Sequence, residues 1–582
     1  MLCNKSQIRS NSLGGCGNIG SKNSLSLSRV TSATMHVLSG LTALIIEPHA
    51  GMRASIHGML SQGGLTKIEN AVSAGTAIRP LRHKTFDLVI CEYDLGEGQD
   101  GQQLLEDLRH HKLLPHSTIF IMVTAERNQD KVVSAAELAL NDYILKPFTA
   151  DTLIDRITRA IERRNALQPI RQLVDDGNLP GAIEACALGM EHAPRYAPDF
   201  MRLPAELHMT LGELAEAENV YGELYARRAL AWARLGQATS LHQQGRFAEA
   251  EVMLQALVEE KPQFLEAYDW LAKAQEELEH VEQAQQTLEA AVARSPHAVQ
   301  RLRRLGRIAL EAGDVPVAHH AFQQVVNRAR FSEFREPEDH VRLVETAIVQ
   351  GEIQLVNSVI RDLSKGLAHA SKTPVCRALS MAMLHRHNGE EQETVEQLQA
   401  AVVASREPIA LSVDARVMLA KNCLQSGLEQ GAVEVMTTVA GNTPGGAATA
   451  RTMRLFHEAG REDLATRVAR DSKSHVSDLV SAGAEKARLG DYRGAVDLMS
   501  EAATRLPNNP QVVFNAAVAV LKCLDNVGWD DELGDRAREY VANARRLDPR
   551  NPRLSLLGSM YRELLKKYAI SRSDRYGSAT GF

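Results

Sequence analysis

Four short apolar runs in the first quarter of the chain each give way to a side chain that can carry charge or donate a hydrogen bond. LTALII runs into Glu47, DLVIC into Glu92, TIFIMV into Thr124 and DYIL into Lys146. If these runs are neighbouring parallel strands, the four side chains share the crevice outside the carboxyl ends of the sheet, where open α/β sheets place their ligands. The chemistry on offer there is charge pairing. Glu92, which reaches further than an aspartate would, brings its carboxylate towards Lys146.

Other reactive residue types in the chain point to less. The seven cysteines are widely spaced with no C-x-x-C pair, so they read as reduced, buried thiols rather than a zinc site. His110 with His111, and His319 with His320, are adjacent and cannot converge on one helix face; they read as solvated surface. Trp232, Trp270 and Trp529 fall at helical positions and read as packing. No P-loop, kinase, cyclase or helix-turn-helix signature follows, so the chain is expected not to be an enzyme.

The elements that must hold the polar residues alternate in a βα pattern. Strands are expected at Leu41 to Ile46, Lys67 to Ala71, Asp87 to Cys91, Thr118 to Val123 and Asp142 to Leu145. Helices are expected at Gly51 to Ser61, Ser73 to Leu81, Gly101 to His110, Asp130 to Leu140 and Ala150 to Arg164. The result is a five-stranded parallel sheet covered on both faces.

The motifs in this order resemble the response regulator receiver, the CheY-like domain, over about 125 of the 582 residues. IIEPHAGMR stands where that family has a pair of acids and often Met-Arg, and FDLVICEYDLGEGQDG where it has an acceptor Asp. MVTA and DYILKPF complete the set. The resemblance implies a flavodoxin-like fold in which a histidine kinase passes a phosphoryl group to Asp, with Mg²⁺ held by neighbouring carboxylates. A hydroxyl and an aromatic residue then move inward as the switch.

Carried over residue by residue, Glu47 takes the first acid position, Pro48 the second and Glu92 the phosphoacceptor position. Thr124 is the switch hydroxyl, Tyr143 the aromatic switch and Lys146 the phosphate-contacting lysine. Two positions depart from the family. Pro48 has no carboxylate, and Glu92 pushes its own forward by one C–C bond, where a misplacement of roughly 1 Å costs in-line transfer about a hundredfold. Little or no phosphorylation is expected, and Glu47 and Glu92 are weak candidates for holding Mg²⁺. The Glu92–Lys146 pair then either imitates the activated state or stabilises a receiver that only docks. Asp94 is the nearby substitute acceptor, with its side chain directed away as the chain leaves the strand. A phosphorylatable response regulator using Glu92 or Asp94 is the competing expectation, and a scaffold unrelated to kinases is a third.

Beyond Asn165 the chain becomes helix upon helix with a recurring pattern. Glycines precede apolar helices at Gly177, Gly212, Gly245, Gly313, Gly351, Gly389, Gly427, Gly460 and Gly490, with Glu279 at the one skipped position. A small residue follows each turn (Ala182, Ala217, Ala250, Ala284, Ala318, Ala432, Ala465 and Ala495, with Val356 and Thr394 as departures), and a larger apolar one sits a helical turn later, as in Tyr221, Leu254, Phe322 and Met499. The small residue lets two helices approach closely and the larger one fills the gap between hairpins. Prolines close several units, at Pro194, Pro262, Pro296, Pro444 and Pro507. This pattern resembles the tetratricopeptide repeat, roughly 34 residues of helix-turn-helix. The units between Gly313 and Gly427 are longer and fit less well, which is expected to change the curvature.

The expected organisation is a disordered segment 1–37, a receiver 38–165, an all-α tetratricopeptide-type solenoid 166–570 and a flexible tail 571–582. Residues Asn165 to Pro169 serve as a short linker, and Met35 is the expected start. The first forty residues hold Lys5, Arg9, Lys22 and Arg29 and no acid, which also resembles a transit peptide. A net charge of only -6 points away from nucleic acid, and no apolar run approaches the roughly 18 residues of a membrane span. A cytoplasmic protein is expected. Its expected partners are a histidine kinase or another response regulator at the receiver, and a peptide or helix in the repeat groove.

Overall fold

The structure is a computed structural model, and it describes residues 38–96, 99–115, 117–125, 142–175, 178–296, 298–330, 332, 334–407, 409, 411–442, 454–548 and 551–568. The segments 1–37 and 571–582, Cys3, Cys16, Gly177, Pro444 and the helix expected at Asp130 to Leu140 lie outside the described residues.

The first unit runs Thr42–Ile46 (β1), Ala50–Gln62 (α1), Lys67–Ala71 (β2), Ala74–His83 (α2), Leu88–Glu92 (β3), Gly101–His110 (α3), Ile119–Thr124 (β4), Asp142–Leu145 (β5) and Ala150–Asp175 (α4). All pairings are parallel, in the order β2-β1-β3-β4-β5. Alternate residues of each strand serve opposite faces. Leu44, Ile46, Val89, Cys91, Phe120 and Met122 pack under α2 and α3, while Ala43, Ile45, Ile90, Ile121 and Val123 pack under α1 and α4. β3 ends one residue later than expected, so Glu92 is part of the strand. Side-chain caps start two of the helices. Ser73 and Thr76 form a reciprocal capping box on α2, and Asp100 and Gln103 form one on α3.

The expected linker at Asn165 to Pro169 is not a linker. α4 continues through Pro169 to Asp175, and a boundary placed between 165 and 166 falls inside this one helix. A proline inside a helix costs about 3 kcal/mol. Leu167 and Ile170 offset that by burial against Ala182, Cys186 and Phe200 of the first hairpin, at roughly 1.5–3 kcal/mol per large apolar side chain.

Helical hairpins follow to Leu554–Lys567. Turn glycines hold the left-handed conformation between paired helices, as at Gly245 between Ala231–Gln243 and Phe247–Glu260 (φ 80°). Glu279 adopts the same conformation without being glycine (φ 60°). The small residues after the turns are buried, Val356 and Thr394 included, and so are the larger residues one turn on. The close approach has a direct measure. A Cβ added to Gly236 would lie 2.4 Å from the Tyr221 ring, and one added to Gly306 would lie 2.8 Å from Phe322.

Two stretches of the array depart from the simple hairpin. Glu462–Arg488 is one continuous helix serving two successive units; no proline or glycine interrupts it where the link would fall. Of the longer units between Gly313 and Gly427, the first and third have more residues between Ala329 and Pro337 and between Ala404 and Val413, and the middle one also has a longer helix, Thr373–Asn388. The five described cysteines are free and buried, and burial pushes the Cys186 thiol up to about 11 and Cys423 up to about 12. The histidine pairs are not uniformly solvated. His319 is buried beside Thr346 and His111 stacks on Phe334, while His110 and His320 are exposed, because adjacent helical residues point about 100° apart.

Candidate functional site

The strand order changes direction between β1 and β3, the switch point of such a sheet. Glu47 is the first residue beyond β1, and Glu92 is the last of β3. Lys146 follows β5, with its backbone N–H donating to the Thr124 carbonyl at 2.7 Å. Its ammonium reaches back across the sheet edge, where Nζ donates to Glu47 Oε2 at 2.9 Å and also to Glu92 Oε2. Both carboxylates are buried, with Glu47 1% and Glu92 6% exposed, so the lysine is what keeps their charge tolerable there. Burial alone would lower the Lys146 pKa; hydrogen bonds and charge from Glu92 and Glu47 outweigh it and leave it raised.

The other carboxylate oxygens are also engaged. Glu47 Oε1 accepts the His49 N–H at 3.0 Å, and Glu92 Oε1 accepts the Asp94 N–H at 3.2 Å. Arg53, the arginine of the GMR motif, donates to the carbonyls of Glu47 (2.6 Å) and Pro48 (3.1 Å). Its guanidinium thereby fixes the turn in which Pro48 presents no carboxylate.

Of the residues singled out in sequence, Glu47, Glu92 and Lys146 form one cluster, with Pro48 in the adjoining turn. Thr124 is buried at the end of β4, beside the strand that carries Glu92. Asp94 stands apart, exposed, with Oδ1 accepting the Gly96 N–H at 3.0 Å. Tyr143 is half-buried against the apolar layer under α2 and α3. The second acid on Lys146, Glu47, and the role of Arg53 were not anticipated. Among the described residues, no group of three or more His, Cys, Asp and Glu side chains is placed to hold a metal.

In the repeats, the first helices of successive hairpins carry a ladder of ion pairs. Arg301 binds Asp269 through two hydrogen bonds (3.0 and 2.8 Å), and Arg303 binds Asp339 through two of 2.7 Å. Lys273 lies over the Trp270 ring at 3.9 Å.

The sheet order and the polar cluster at its carboxyl edge define a receiver domain, here joined to a helical repeat array. The chain belongs to the response regulator receiver family. The profile of the response regulator receiver domain matches residues 43–158, and tetratricopeptide repeat profiles match 205–263 and 241–305. Chemotaxis protein CheY of Pseudomonas aeruginosa is 34% identical over 122 residues, covering 21% of this chain and 97% of that protein. Chemotaxis protein CheY-3 of Vibrio cholerae serotype O1 is 32% identical over 120 residues, covering 21% of this chain and 91% of that one. Among solved structures, the receiver domain of NtrX from Brucella abortus aligns at 28% identity over 21% of this chain and 98% of that chain, with a TM-score of 0.19. The chain is thus a response regulator with protein-interaction repeats.

Proposed function

We propose that this protein is an accessory of two-component signalling. Its receiver docks a histidine kinase or another response regulator without accepting a phosphoryl group, and its repeats hold a helix or peptide from a second partner. The observation that carries this reading is Lys146 seated on both Glu47 and Glu92. The Lys146 ammonium is already engaged by both carboxylates, so the pocket has its charge balanced in advance.

The residues present do not fit Mg²⁺. That ion demands near-octahedral oxygen ligation at roughly 2.0–2.1 Å. Pro48 supplies no carboxylate, each acid already places one oxygen on Lys146 and the other on a backbone N–H, and Asp94 is turned into its own loop. No helix among the described residues is long and apolar enough to cross a membrane, and a docking role in the cytosol, with no catalysis by the chain itself, is part of the proposal.

Incubation with Mg²⁺ and acetyl phosphate, followed by intact mass measurement, tests the reading. The expected product is unmodified protein. The double change Pro48→Asp with Glu92→Asp is expected to yield a singly phosphorylated species. A stable phosphoryl adduct on the unaltered chain would refute the proposal.

A further inference from the structure

Among the described residues, the receiver meets the repeats at two places. One contact is covalent, through α4 and the Arg163–Asp199 pair beside it. The other lies far along the chain, where α3 meets the start of the helix Val299–Glu311 and the link 330–336. Glu106 accepts the Gln300 backbone N–H at 3.2 Å, and Asp107 accepts the Ser332 hydroxyl at 2.5 Å. Phe334 is the apolar anchor, with its ring stacked on His111 at 4.0 Å and the Arg82 guanidinium 5.5 Å from its centre. Phe334 packs against the receiver's own apolar layer, and the seam leaves a cavity of only about 20 Å³.

The far side of the seam is built to hold a fixed shape. Arg335, next to the anchor, binds Asp362, and the buried His340 lies within hydrogen-bonding distance of both. Arg303, which borders the seam, is fixed to Asp339. The link that bears Ser332 and Phe334 is the first of the elongated ones, longer than 261–264 or 295–298 in the preceding repeats.

The near side is wired to the polar cluster. The Gly101 N–H at the start of α3 donates to the Tyr93 carbonyl at 2.7 Å, and a Cβ on Gly101 would lie 2.3 Å from the Glu92 carbonyl oxygen. The start of α3 is thereby held in close contact with the strand end that carries Glu92. Gln99, in the loop between them, donates to Asp107, the same carboxylate that binds Ser332.

We propose that α3 and the surface formed by Val299, Gln300, Ser332 and Phe334 make a releasable clasp, which closes the repeats between α4 and Glu336 into a loop and connects the position of Glu92 to their curvature. The composition of the seam favours release. It sets two half-buried carboxylates and one aromatic anchor against a helix start, and contacts between domains of one chain resemble transient interfaces. Burial raises both acids, Glu106 to about 7, so closing the seam removes charge that water would otherwise stabilise. The inference goes beyond the docking function proposed above and does not depend on whether Glu92 accepts phosphate.

The full-length chain tests it through hydrogen exchange and small-angle scattering. In the double variant Ser332→Ala/Phe334→Ala, the Gln300 amide should exchange about fivefold faster, as expected for freeing one hydrogen bond, and the radius of gyration should rise. Glu92→Lys, which sets a like charge beside Lys146, should speed exchange at the same amide. Unchanged exchange and scattering in the double variant would overturn the clasp. A Gln300 amide indifferent to Glu92→Lys would overturn its connection to the polar cluster. If the double variant does not fold, Asp107→Asn gives the same readouts with the anchor intact.

Discussion

Lys146 stands between two buried carboxylates, and its position sets what its loss would do. Lys146→Met leaves Glu47 and Glu92 facing each other without a counter-charge, and breaking a buried pair in this way costs about 3–5 kcal/mol. The expected result is loss of protection of the β1 and β3 amides in hydrogen exchange, with much of it recovered when Glu47→Gln and Glu92→Gln are added. An exchange pattern unchanged by Lys146→Met would show that the charges are balanced elsewhere. At this scale the sequence was informative about identity and less so about partnership. Glu92 beside Lys146 followed from side-chain length, whereas Glu47 joining them depends on how β1 and β3 sit beside each other, which the motif alone does not express. Arg53 had a signal in the GMR tripeptide, but its acceptors are backbone carbonyls, which carry no residue code.

At the scale of elements, the repeats depend on close approach at a few small residues. Gly236→Ala would place a methyl group 2.4 Å from a ring carbon of Tyr221, itself buried. The ring cannot move without disturbing its neighbours, so a destabilisation of about 1–3 kcal/mol is expected, read as a lower urea midpoint for the repeats. Gly222→Ala, whose new atom would meet only the end of the Gln237 side chain at 3.2 Å, should cost less. Most of these elements were legible, because strand alternation and the roughly 34-residue period survive in a single sequence. The failures came where a local signal was outweighed. Pro169 reads as a break, yet the burial of Leu167 and Ile170 carries the helix through it. The helix Glu462–Arg488 runs on through the place where the repeat period would put a link, because no breaking residue enforces one there.

At the scale of the whole molecule, the seam between receiver and repeats gives the protein a pH dependence with a definite sign. Burial in the seam raises the Glu106 carboxyl from 4.5 to about 7, against the opposing pull of the Gln300 and Val299 N–H groups and of Arg301. The contribution of Glu106 to docking is therefore fully present below about pH 4.5 and is lost as pH rises through 7. Asp107 is shifted in the same sense, and His111, lowered by burial and by His110, acts oppositely, favouring docking above its free value and losing that as pH falls. Arg301, Arg303, Arg328 and Glu336 are the further charged groups around the seam. Glu106→Gln keeps an acceptor for the Gln300 N–H, so it should leave the seam tighter than the parent at pH 7.5 and flatten the loosening between pH 5 and 7.5, as read by scattering. Little in the sequence announces this contact, since Asp107 and Ser332 lie 225 residues apart. The one hint was the elongated repeat after Gly313. A further consequence lies in α4, which belongs to both halves at once. Inserting a single residue near position 165 would turn everything beyond it by about 100° and advance it by about 1.5 Å. The repeats would then meet the receiver out of phase, so receivers could be exchanged between such proteins only by whole helical turns.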